Sequence, residues 1–143
     1  MTTTLQNLLG QKVSIDSTVL EAHGKDKSYP ELYPPIAVVF AESVQDVQDT
    51  LEWCRENHIP LIPFGAGSSL EGQLTPQSSV VSLDLSRMNH ILETSPEDFL
   101  VTVEPGITRE ALNAAIQDTG LFFPVDPGAN ATLGGMASTN ASG

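Results

Sequence analysis

Residues 63–73, PFGAGSSLEGQ, decide how the rest of the chain is read. The stretch opens directly from the short apolar run Leu61 to Phe64 and holds Gly65, Gly67 and Gly72, with Ser68 and Ser69 between them. Small residues let a backbone turn sharply and aim several N–H groups at one anion, and the two hydroxyls add donors. Two familiar phosphate motifs fail on spacing. The dinucleotide pattern GxGxxG breaks because the glycine after Gly65 and Gly67 is Gly72. The step from Gly67 to Gly72 fits the start of a P-loop, but Gln73 stands where that motif needs lysine. Taken alone, the stretch reads more readily as an ordinary surface loop.

Working outward, Pro30, Pro34 and Pro35 precede the apolar run Ile36 to Phe40, which predicts a buried strand. Ser43 with Asp46 reads as a helix start, and Val44, Val47, Leu51, Cys54 and His58 recur at helical spacing as one apolar face. Pro60 stops that helix and Leu61 to Phe64 is the next strand, so the unit has the length of a parallel crossover. Beyond the loop, Val80 to Leu85 predicts a third strand. His90 to Glu93 and Leu100 to Glu104 predict a hairpin-like pair around Ser95 to Asp98. Thr108 is a helix N-cap for a stripe of Leu112, Ala115, Ile116 and Thr119 that Gly120 closes. Residues 3–9 predict a short helix ended by Gly10, and the stretch from there to Glu31 is mixed and polar.

A second small-residue segment, PVDPGANATLGGMASTNASG, runs from Pro124 to Gly143. Gly134 and Gly135 followed by Ala137, Ser138 and Thr139 suit the start of a helix whose amides face an anion. Thr132, Thr139 and Asn140 offer hydrogen bonds suited to a sugar-alcohol chain or a phosphate.

Composition narrows the function classes. Hydrophobic residues make up 40% of the 143 and charged ones 17%, which fits one folded domain with a real core. Six basic against eighteen acidic residues give a net charge of −12, so a polyanion partner such as nucleic acid is not expected. Lys12, Lys25, Lys27, Arg55, Arg87 and Arg109 all lie outside both glycine-rich segments. A phosphate bound there must therefore be met by amides and hydroxyls. Cys54 is the single cysteine and reads as a buried, inert thiol. His23, His58 and His90 are too widely spaced for a metal site; His58 reads as a helix-end residue and the other two as surface residues. Trp53 lies off the helix stripe, and Arg109 reads as solvated. Glu71 and Asp126 read as turn or solvent-facing acids rather than catalytic ones. No membrane span and no secretory leader is read, which predicts a cytoplasmic address, or a peripheral one at a membrane through an electron-acceptor partner. The chain stops inside a small-residue segment, and the expectation is a truncated domain.

Both segments, in this order and separation, resemble the FAD-binding domain of the vanillyl-alcohol-oxidase type (the PCMH fold). The likeness runs from Pro35 to Gly143 and includes VEPGITREALN, residues 103–113, as a strand-to-helix junction. HGKDKS at 23–28, LEGQ at 70–73 and PVDPGA at 124–129 are similar to the branch holding FAD-linked D-lactate dehydrogenases and the glycolate oxidase FAD-linked subunit. The resemblance implies an α+β fold: the N-terminal half of the domain, with a small parallel sheet and helices, then the start of a mainly antiparallel sheet. It implies residues 1–34 as a segment packing on the FAD domain and residues 35–143 as the domain's N-terminal part. It implies FAD as cofactor, and non-covalent FAD because residues 65–73 contain no histidine. Pro63, Gly65, Ala66, Gly67, Ser68, Ser69 and Gly72 would then meet the diphosphate. Pro127, Gly128, Thr132, Gly134, Gly135, Ser138, Thr139, Asn140 and Gly143 would line the flavin and its ribityl–diphosphate chain. The implied reaction is oxidation of D-lactate to pyruvate by hydride transfer to FAD. A glycolate oxidase subunit, a 2-hydroxyglutarate dehydrogenase, an alkyl-glycerone-phosphate synthase-like enzyme and an inactive fragment are the alternatives. The catalytic base, the carboxylate-binding cations and any metal-binding histidines would come from a cap domain outside this chain. No catalytic or metal residue is therefore assigned, and surfaces left uncovered predict self-association.

Overall fold

The computed structural model describes residues 2–25, 27–28, 31–75 and 78–142. Strands β2 (Ala37–Phe40), β3 (Leu61–Phe64) and β4 (Val81–Asp84) form a parallel sheet with β4 in the middle. The register sets Phe40 and Phe64 level with Asp84, so all three parallel strands end along one edge. β2 and β4 are buried on both faces, as strands covered on both sides of a parallel sheet must be. β3 is an outer strand, which is why Pro63 is tolerated there without an N–H to give the ladder.

Helix α1 (Thr2–Leu9) and strand β1 (Val13–Ser14) complete this sheet; β1 pairs antiparallel with β2. Leu5, Leu9 and Val13 join Ala37, Val39, Ala41, Trp53, Cys54, Val81, Leu83 and Met88 in one core. The polar stretch after Gly10 thus holds β1 and a second helix, α2 (Ser17–His23), which the sequence pattern does not signal. β1 is two residues long, and α2 buries no residue fully; its start is fixed by the Asp16 carboxylate accepting from the Thr18 and Val19 N–H groups at 3.0 and 3.2 Å.

Helix α3 (Val44–Glu56) carries the parallel crossover, capped by the Ser43 hydroxyl accepting from Asp46 N–H at 3.2 Å. Its buried face matches the expected one only in part. Cys54 is buried and Val47 packs against the core as expected, but Val44 and Leu51 are 64% and 48% exposed, and Asp46, Thr50 and Trp53 face inward in their place. Hydrogen bonds let those polar groups be buried. The Lys12 ammonium donates to both Asp46 oxygens at 2.7 and 2.8 Å, Thr50 donates to the Asp46 carbonyl at 2.6 Å, and the Trp53 indole donates to Thr4 at 3.0 Å. Burial pushes the Cys54 thiol up to about 11, so it stays protonated and inert.

The helix ends in a Schellman turn. His58 N–H donates to the Arg55 carbonyl and Ile59 N–H to the Cys54 carbonyl, with His58 at φ 54°. A side chain in that left-handed conformation costs about 1 kcal/mol, and His58 is exposed. His58→Gly is therefore expected to stabilise the chain by about 1 kcal/mol, read as a higher thermal midpoint; an unchanged or lower midpoint would contradict this.

β5 (Ile91–Ser95) and β6 (Leu100–Val103) pair antiparallel as a separate ribbon. Helix α4 (Arg109–Ile116) is capped by Thr108, and Gly120 follows at φ 77°. The chain then runs without regular structure to α5 (Leu133–Ser138). The architecture is the expected α+β one.

Candidate cofactor site

The 63–73 stretch leaves β3 at the shared edge of the parallel strands, the end where open α/β sheets bind ligands. Among the described residues, the N–H groups of Gly65, Ala66, Gly67, Ser68 and Ser69 donate to no acceptor. Gly67 sits at φ 61° and Gly72 at φ 77°. Ser68 has no hydrogen bond among the described residues, whereas Ser69 accepts from Glu71 N–H at 3.4 Å and from the Gln73 amide at 2.5 Å. Five successive amides are thus left without an acceptor among the described residues, and no cation is near them in sequence.

The second segment meets this loop at Thr132. A Cβ on Gly65 would stand 2.4 Å from the Thr132 hydroxyl, so glycine there is what lets the two segments touch. Thr132 is buried, pairs with Thr108 as an isolated bridge, and caps α5 by accepting from Gly135 N–H at 3.3 Å. The other first-turn amides are also engaged: Leu133 donates to Ile107 at 2.9 Å and Gly134 to Pro105 at 2.8 Å. The expected anion-facing amides of Gly134 and Gly135 are therefore corrected. A Cβ on Gly134 would lie 2.6 Å from Pro105, so this glycine serves close packing.

The Ser138 and Thr139 hydroxyls donate back to the Gly134 and Gly135 carbonyls at 2.8 and 2.9 Å. Asn140 lies at φ 54° and ends α5 in a Schellman turn, its N–H donating to Ala137 while Ala141 donates to Met136. Gly128 turns at φ 78°, with its N–H donating to Asp126 at 3.0 Å, and Pro127 is exposed within that turn. Arg109 is not solvated as expected; it pairs with Asp126 at 3.1 Å and is largely covered. Gly143 lies outside the described residues.

The residue that the sequence most misjudges is His23. Rather than lying on the surface it is enclosed, with Nδ1 2.8 Å from the Val19 carbonyl and Nε2 2.9 Å from the Asp84 carboxylate. Both partners only accept, so the doubly protonated ring is the form that satisfies both contacts at once. Burial, the largest influence, opposes its charge, but the Asp84 hydrogen bond, the Val19 carbonyl and the Asp84 charge together raise its pKa. Burial likewise opposes the Asp84 charge, and the His23 and Ser86 hydrogen bonds hold its pKa below the usual value. The raised histidine stabilises fully below its unfolded value of 6.5 and loses this as pH rises through its folded value. The lowered carboxylate stabilises above 3.8 and loses this as pH falls through its folded value. The pair is thus expected to stabilise fully between 3.8 and 6.5 and to weaken on both sides. Thermal midpoints of wild type and Asp84→Asn should differ most inside that window; a difference independent of pH would contradict the assignment.

Among the described residues no group of three metal-ligating side chains converges, and no helix is long and apolar enough to cross a membrane.

A family model described as "FAD binding domain" matches residues 35–143. A "Probable D-lactate dehydrogenase, mitochondrial" from Danio rerio is 48% identical over 131 residues, covering 92% of this chain and 26% of that protein. A "D-lactate dehydrogenase (cytochrome), mitochondrial" from Arabidopsis thaliana is 36% identical over 141 residues, covering 97% of this chain and 25% of that protein. The chain spans about a quarter of the length of these relatives. In structure, an alkyldihydroxyacetonephosphate synthase superposes over 100% of this chain and 30% of its own, with a TM-score of 0.90 at 24% identity.

Proposed function

The chain belongs to the FAD binding domain family, and from that premise we propose that it holds the FAD diphosphate in a flavin-dependent D-2-hydroxy-acid dehydrogenase acting on D-lactate. The row of unengaged amides from Gly65 to Ser69 at the strand edge is the observation that supports this most.

In this reading those amides and the Ser68 hydroxyl bind and orient the diphosphate, and contact with Thr132 keeps the loop in place. Pro63 and Gly72 bound the loop. Pro127, Gly128, Thr132, Gly134, Gly135, Ser138, Thr139, Asn140 and Gly143 line the flavin side. FAD supplies a hydride acceptor. Residues 65–73 have no histidine for a covalent link, so binding is non-covalent. Residues 1–34 act as a segment packed on the domain that residues 35–143 begin, and a cap outside this chain supplies the substrate pocket.

The test is anaerobic addition of D-lactate to a longer protein that includes this chain and carries FAD. Bleaching of the flavin's visible band by D-lactate, ahead of glycolate and D-2-hydroxyglutarate, is the expected outcome. Faster bleaching by one of the others would move the substrate assignment, and no bleaching by any would remove the dehydrogenase reading. Exposed Phe99, Leu100 and Phe122 support self-association of the chain, to be checked by sedimentation over a concentration series. The cytoplasmic address is likewise a proposal, to be tested by fractionating source cells.

A further inference from the structure

His23 and Asp84 form a buried ion pair that the proposed chemistry does not use, one aromatic ring away from the glycine loop. The Phe64 ring lies 4.2 Å from His23, and a Cβ on Gly67 would lie 2.7 Å from the Phe64 ring edge. We propose that His23 is a positioning residue for the FAD diphosphate loop: clamped between Val19 and Asp84, it fixes the Phe64 ring against which Gly67 turns. This rests on the reading of residues 65–69 as the diphosphate site.

Each neighbouring element supplies one side of the clamp. The Val19 carbonyl comes from α2, Asp84 from β4, Phe64 from β3, and Phe40 from β2, edge-on at 5.7 Å. Asp84 is itself held by Ser86 N–H at 2.7 Å. Arg87 lies 4.6 Å over Phe40 and is paired with Glu42 at 2.7 Å, so its charge is answered on its own side. Neutral histidine keeps one N–H and cannot serve two acceptors. Once the proton leaves, either Val19 or Asp84 loses its donor, and the ring supporting Phe64 is free to turn. The raised pKa of His23 places that loss above the ordinary histidine value.

The experiment uses the isotope-labelled 143-residue chain. The His23 ring nitrogens and the Gly65 to Ser69 amides are followed together without ligand from about pH 5 to 10, and FAD affinity is measured by fluorescence titration across the same range. The loop amides are expected to move with the His23 midpoint, and FAD affinity to fall about tenfold through it. His23→Gln keeps a donor for Asp84 but no charge. It is expected to bind FAD about tenfold more weakly below that midpoint and to lose the pH step. Amides that stay still while His23 titrates, or H23Q with wild-type affinity and profile, would overturn the proposal. If H23Q does not fold, the wild-type series decides. If the wild-type ring stays protonated throughout, H23Q decides. Absence of FAD binding at every pH to this chain and to a longer protein would sink the cofactor reading, and this inference with it. Intact FAD binding beside unmoved amides would sink this inference alone.

Discussion

Gly106→Ala is expected to destabilise the chain by about 3 kcal/mol or more, at the upper end of overpacking effects. Its Cβ would stand 2.0 Å from the Leu85 carbonyl oxygen and 2.7 Å from the Met88 carbonyl oxygen, and both are backbone atoms. Gly106 N–H donates to Met88 at 2.7 Å and Met88 N–H donates to Leu85 at 3.0 Å, so the turn lies flat on the chain leaving β4. Neither partner can retreat without pulling on β4 or on Pro105, whose carbonyl receives the Gly134 amide. For a chain whose total stability is on the order of 10 kcal/mol, the thermal midpoint should fall by roughly 10 °C, if the protein is recovered folded at all. A fall of only a degree or two would show that this turn is not packed as described.

Gly67→Ala is expected to remove most FAD affinity while leaving the fold in place. At φ 61° an alanine costs about 1 kcal/mol, and its methyl would press on the Phe64 ring, which also packs on His23. The relief available is movement of the loop itself, which would misdirect the amides meant for the diphosphate. Displacing two or three of those hydrogen bonds, each worth about 1.5–3 kcal/mol to a charged partner, corresponds to at least a hundredfold loss of affinity. Gly10→Ala is the control, because Gly10 has φ 61° and its Cβ would meet nothing within 4 Å. Equal FAD affinity in G67A and G10A would contradict the role of the loop.

Much of this was legible in the sequence because local rules and tertiary packing agree. The run Leu61 to Phe64, the caps Ser43 and Thr108, and the stop at Gly120 each follow from chemistry within a few residues. The inward face of α3 was legible only at Val47 and Cys54. Asp46 and Thr50 are buried only because Lys12 and a helix carbonyl satisfy them, and hydrophobic periodicity cannot register a partner 34 positions away. β1 was invisible because a two-residue strand has no period. His23 looked like a surface residue because its partner Asp84 is 61 positions distant and its stacking on Phe64 exists only in the fold. The signal available was weak: a histidine ending a helix, and an aspartate closing the short strand Val81 to Asp84. In the second segment, the glycine pair looked like an anion site. The fold instead uses the Gly134 amide, with that of Leu133, to dock α5 on the turn at Pro105 and Ile107, and the Gly135 amide to meet the Thr132 cap.

The measurement that tests the central claim most directly is an amide N–H spectrum of the labelled chain, taken as FAD is added to saturation. The account predicts large shifts at Gly65 to Ser69, and small ones at Leu133, Gly134 and Gly135, whose amides already donate within the chain. Saturable FAD binding that leaves Gly65 to Ser69 unmoved would contradict it.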